Sequence, residues 1–149
     1  MRHHYESLLI SLAEEIGLDP PSLLATEEIV IDSLPISLQL EGSGDRSEVL
    51  LSSLLGTVPA ARWDQVSRTL LLANHAGLGT RGGMLGVVPK DGETVTLSMR
   101  RPLLNLDADK LATLLGWVTD TSLAWKEYIS DEGQAEPPEF FQKDLRAYS

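Results

Sequence analysis

Three glycines set the tightest constraint on what this chain can fold into. Gly77, Gly79 and Gly82 spell G-x-G-x-x-G. That pattern is the dinucleotide fingerprint only when it follows a strand and opens a helix, so that a helix N-terminus meets the pyrophosphate. Here the order is reversed. Residues 63–73 carry apolar side chains at helical steps (Trp63, Val66, Leu70, Ala73). Residues 84–88 and 94–100 alternate with period two on either side of Pro89-Lys90-Asp91-Gly92-Glu93. The glycines therefore read as positive-φ residues that end a helix and turn the chain into a β-hairpin closed at Asp91-Gly92. A nucleotide- or phosphate-binding enzyme built on Gly77 to Gly83 remains the second reading.

The chain before the bend supplies a helix and strands. Tyr5, Leu8, Leu9, Leu12, Ala13 and Ile16 share one helical face, with Ile10 off it as part of a second apolar strip. Gly17 ends that helix, and Asp19-Pro20-Pro21 is expected to prevent a restart. From 27 to 41 the period is two: Ile29 and Ile31 alternate with Val30 and Asp32, and Leu34, Ile36, Leu38 and Leu40 with Pro35, Ser37, Gln39 and Glu41. Pro35 places that strand at an edge or itself among the strand's first residues. Gly42-Ser43-Gly44-Asp45 is a turn, and 48–55 is a strand expected to be covered on both faces. An edge beside this much leucine invites strand addition by another chain.

In the helix over 63–73, Leu71 and Leu72 widen the apolar stripe beyond one contact, which predicts a two-fold interface with a second copy. Asp107 is a candidate N-cap for a long last helix, with Asp109 in its first turn. One face of it holds Leu111, Leu114, Leu115, Val118, Ser122, Trp125 and Ile129, and a second Trp117, Thr121, Ala124 and Tyr128. Residues 1–129 read as one domain. Residues 130–149, with Asp131, Glu132, Gly133, Glu136, Pro137 and Pro138, read as a disordered or loosely attached acidic tail whose Phe140-Phe141 pair could dock. The order is a helix, two or three strands, a helix, two strands and a helix (α-β-β-β-α-β-β-α with three), which defines an α+β fold with a twisted, mainly antiparallel sheet packed against helices.

Composition narrows the chemistry. Twelve basic side chains face 22 acidic ones, a net charge of −10, which argues against nucleic acid or an anionic membrane as partner. No cysteine occurs, so disulfides, thiolate metal sites and a cysteine nucleophile are excluded. No export signal or membrane span is legible, which predicts a soluble, cytoplasmic protein. His3, His4 and His75 are the only imidazoles, and no G-x-S-x-G elbow, H-E-x-x-H or calcium loop accompanies them. No catalytic residue, metal or cofactor is expected.

Leu70-Leu71-Leu72-Ala73-Asn74, Gly83-Met84-Leu85-Gly86-Val87, Val95-Thr96-Leu97-Ser98-Met99 and the run 111–129 with Trp125 together resemble the Tir chaperone family of class I type III secretion chaperones over residues 5–129. The resemblance implies a small bacterial cytoplasmic homodimer without enzymatic activity. Such a protein binds the N-terminal region of a secreted effector in extended form and keeps it soluble and export-competent. It also implies a dimer interface at Trp63, Val66, Leu70, Leu71, Ala73, Leu85 and Val87. Effector contacts would fall on Leu9, Leu12, Leu34, Ile36 and Leu38, each of which reads equally as core. The tail after Ile129 has no counterpart in the resemblance. A self-assembling adaptor that binds folded partners is the third reading.

Overall fold

The computed structural model describes residues 1–130 and 136–148. Its helices are α1 (Arg2–Ile16), α2 (Pro20–Thr26), α3 (Trp63–Asn74), α4 (Ala108–Ser130) and α5 (Glu139–Tyr148). Its strands are β1 (Glu28–Ile31), β2 (Leu34–Glu41), β3 (Glu48–Thr57), β4 (Met84–Val87) and β5 (Thr94–Pro102), in the sheet order β1-β2-β3-β5-β4. The fold is α+β, as the period changes along the chain predict. Contacts divide it into two units: 1–52 with 99–119, and 53–98 with 120–149. The division passes through β3, β5 and α4.

In unit 1, α1 ends where Gly17 takes a left-handed φ of 80°. The proline pair that follows opens a helix and does not block one. Asp19 caps α2, its carboxylate accepting from the Ser22 amide, and Pro20 stands at the first helical position, where its missing N–H leaves no bond unmade. The strand expected over 27–41 is a hairpin. Asp32 and Ser33 take φ of 51° and 65°, a two-residue turn whose twist matches the flanking strands. Ile29 then pairs with Ile36 and Val30 with Pro35. Pro35 is the second residue of β2, where the strand begins, although β2 itself is not an edge. Tyr5, fully buried, donates its hydroxyl to Glu27 at 2.7 Å, and Arg2 reaches both Glu27 and Glu6.

In β3 burial alternates, and Leu54 is exposed, so the expected cover on both faces is not found; the leucine run serves one buried face. In α4 all seven residues of the first apolar face are buried. Asp107 caps α4 through the Lys110 amide at 2.8 Å. Its second face divides: Thr121 and Tyr128 are buried, Ala124 partly so, and Trp117 is exposed.

The core of unit 2 gathers Val66, Leu70, Ala73, Leu85, Val95 and Leu97 around Trp125, Tyr128 and Phe141. The buried Arg62 guanidinium donates to the carbonyls of Tyr128 (2.7 Å) and Ile129 (3.2 Å) and lies over the Tyr128 ring. It thereby satisfies acceptors at the negative end of α4. Phe141 is 1% exposed and sits 5.6 Å from the Trp125 ring, while Phe140 lies under the Arg81 guanidinium. Loose attachment of the tail therefore does not hold for residues 136–148. Composition is a poor guide where one aromatic plug is enough to dock a helix. Asp131, Glu132 and Gly133 lie outside the described residues.

Candidate functional site

The glycine bend is occupied by its own bonds. The Gly79 amide donates to the Ala73 carbonyl, the Gly83 amide to that of Thr80, and the Thr80 hydroxyl to that of Gly83 at 2.7 Å. The Gly79 carbonyl accepts the Trp125 indole N–H at 2.8 Å. Gly77 and Gly82 take positive φ, as do Ala76 and Arg81. Gly79 does not, and it is needed for a different reason: a Cβ there would lie 2.6 Å from the Ala73 Cβ and 2.8 Å from Phe141. The bend follows a helix C-terminus, and the amides of Leu78, Gly79, Thr80 and Gly83 already donate to carbonyls of residues 73–80, the reverse of the free amides at a helix N-terminus that hold a phosphate. Among the described residues no three His, Asp or Glu side chains are grouped to hold a metal.

What the surface does offer is apolar. In unit 1, β1 is the end strand of the sheet, and Val30 points outward at 63% exposure. Beside it Ile16, Leu18, Ile31, Ala112 and Gly116 line an open groove of about 310 Å³. Leu9, Leu12, Leu34, Ile36 and Leu38, expected to contact an effector, are fully buried in the chain taken alone. They come from the right elements, α1 and the first hairpin, but from the inward face. Val30, Leu18 and Ile16 are the exposed residues of the same region. The signal for Val30 was present in the sequence: it is the apolar residue out of phase with Ile29 and Ile31.

The second apolar surface belongs to unit 2. Of the seven residues expected at a dimer interface, Val66, Leu70, Ala73 and Leu85 are core, Trp63 is half-buried, and Leu71 (73%) and Val87 (38%) are exposed. Leu72 and Met84 join them at the surface. Three consecutive leucines on one helix cannot all face inward, which is the signal that pointed to Leu72 as well. Asn74 couples the two elements carrying this surface: its amide nitrogen donates to the Leu85 carbonyl and its oxygen accepts the Leu85 amide, both at 2.8 Å. The adjoining hairpin is pinned by Asp91. Amide bonds from Glu93 and Thr94 and the Thr94 hydroxyl hold its carboxyl below the usual carboxylate range.

A small α+β sheet protein with open apolar surfaces at β1 and on α3 and β4 is a binding module in form. The sequence profile of the Tir chaperone protein (CesT) family matches residues 7–126, and the chain belongs to that family. It is a type III secretion chaperone that binds effectors, and not an enzyme. Similar folds occur in the HopA1–SchA chaperone–effector complex (TM-score 0.65, 20% identity, 83% of this chain and 94% of that one). They occur also in the ExsC–ExsE complex (0.64, 18%, 84% and 92%). The ExoT–SpcS complex from Pseudomonas aeruginosa is a third (0.58, 21%, 83% and 97%). No curated protein matches the chain in sequence.

Proposed function

We propose that the chain works as a cytoplasmic homodimer that holds the N-terminal region of an effector in extended form. The observation that carries this reading is the end strand β1, with outward Val30, beside the apolar groove at Ile16 and Leu18. An extended segment gains main-chain hydrogen bonds by adding to such an edge, and its alternate side chains fill the groove, so varied sequences are tolerated. The five buried residues Leu9, Leu12, Leu34, Ile36 and Leu38 support this surface from behind.

The dimer forms through Leu71, Leu72, Met84 and Val87, with Trp63 at the side and Val66, Leu70, Ala73 and Leu85 holding α3 and β4 in place. Exposed leucine and methionine on two coupled elements favour a self-complementary contact. Residues 1–129 constitute the chaperone domain and α5 is an addition to it, in keeping with a family match that ends at 126. The described helices include none long and apolar enough to cross a membrane, which fits action in the cytoplasm.

Native mass spectrometry of the protein purified from its own host tests this directly. The expected species is twice the 16.3 kDa of one chain carrying one copy of a larger secreted protein. A monomer, or a dimer that carries no polypeptide under secretion-inducing conditions, contradicts it.

A further inference from the structure

Unit 1 has a second apolar feature that neither surface above uses. Trp117, on α4, is 50% exposed. With Leu106 and Leu114 it lines a recess of about 210 Å³ whose lining also includes Arg101 and Lys110. Exposed Leu104 stands on the short helical turn just before it. Trp and Arg are the residue types that dominate binding hot spots, because each places a large rigid contact area beside a polar handle.

The charge of this recess runs against that of the protein. The chain carries −10, and residues 1–60 alone hold ten acidic and two basic side chains, yet this recess is flanked by two cations. Among the described residues neither cation has a close carboxylate partner. Arg101 donates to the Arg100 carbonyl at 2.8 Å, which uses one of its five or so N–H donors. Lys110 comes no nearer than 3.9 Å to Asp107, with both side chains well exposed, a pairing worth little in water.

We propose that this recess docks a polypeptide segment in which one large apolar residue is flanked by Asp or Glu. Acidic flanks are repelled by the acidic remainder of the chain and attracted to Arg101 and Lys110, while the apolar residue stacks on Trp117 between Leu106 and Leu114. Two cations on so acidic a protein are too few to hold nucleic acid. The proposal rests on the reading of the chain as a binder of extended polypeptide, and the test separates the two.

The full chain is labelled with nitrogen-15 and titrated with two short synthetic peptides, one with Phe flanked by Glu and one with Phe flanked by Lys. The chain has three tryptophans, and the indole signal of Trp117 is assigned by its loss in Trp117→Phe. The Glu peptide shifts that signal and binds about tenfold tighter than the Lys peptide, a normal margin for charge complementarity. Arg101→Glu with Lys110→Glu reverses the preference. Trp117→Ala weakens the Glu peptide about tenfold with an unchanged melting temperature. Equal binding of both peptides, or a preference that survives the charge reversal, overturns the proposal. So does a Trp117 signal that stays still while peptide binds elsewhere, although that result leaves the chaperone reading intact. Absence of binding by either peptide also overturns the recess, and the effector complex is then judged on its mass alone.

Discussion

The two units of the molecule bury different kinds of side chain. The buried residues of unit 1 are almost all aliphatic, with Tyr5 as the one aromatic ring. Unit 2 is organised on Trp125, Tyr128 and Phe141 and is pinned by directional bonds: Arg62 to the end of α4, Asn74 to both backbone groups of Leu85, and Trp125 to Gly79. Buried polar pairs of this kind fix one arrangement, because any other leaves a donor or acceptor unpaired. Aliphatic contacts are non-directional and tolerate small adjustments. The groove at β1 and the Trp117 recess both belong to unit 1. Under the proposed function, unit 2 holds the fold and presents the proposed face for a second copy, while unit 1 meets the client.

The sharpest way to break that contrast is to remove the plug of unit 2. Phe141→Ala is expected to cost about 3–5 kcal/mol, as full burial of an aromatic ring predicts, measured by urea unfolding. A cost under about 1 kcal/mol would return α5 to the status of a loose tail. Asn74→Ala should cost about 1–3 kcal/mol, because it orphans the Leu85 amide and carbonyl together, and it should loosen β4 in hydrogen exchange.

In unit 1 the corresponding polar anchor is weaker. Tyr5→Phe is expected to cost about 1.5 kcal/mol, the low end for a hydrogen bond to a charged acceptor, since the Glu27 carboxylate keeps Arg2 as a partner. Burial, and then the bond to Glu27, raises the Tyr5 pKa above its ordinary value. Unfolded tyrosine ionises near about 10. Its stabilising contribution is therefore complete below that pH and is lost as pH rises toward the folded value. Stability of the wild type should fall more steeply above pH ~10 than that of Tyr5→Phe.

The smallest effect concerns Glu15, on the last turn of α1, whose pKa is raised by a hydrogen bond with Asp109, then by desolvation and by the charges of Asp109 and Asp107. Its protonated form is the one the fold prefers, so the benefit is present at low pH and lost as pH rises through the raised value. Glu15→Gln should give a slightly higher melting temperature at pH 7 and no gain near pH 4.

Much of this was legible in the sequence because periodicity reports which elements exist. The α+β order, the stop at Gly17, the cap at Asp107 and the buried face of α4 follow from local rules. The misreadings have local causes too. Pro20 looked like a breaker although the first helical turn accepts proline. Asp32-Ser33 lacks the glycine that announces a tight hairpin turn, so one long strand concealed β1 and β2. The site was harder. A stripe of leucines identifies an apolar face, but whether that face is inward depends on partners distant in the chain. Hence Leu34, Ile36 and Leu38 proved to be core and Val30, between them and α1, the exposed residue. Phe141 could be singled out but not placed, since its slot is made by Gly79 and Trp125 from elsewhere in the sequence.

Addition of an effector strand to β1 is tested by hydrogen–deuterium exchange of the chaperone–effector complex against each component alone. New protection is expected at residues 28–31, the amides of β1, together with strand-like protection over one continuous effector segment that exchanges freely by itself. Complex formation without any change at β1, or with an effector segment already protected and folded when free, would contradict it.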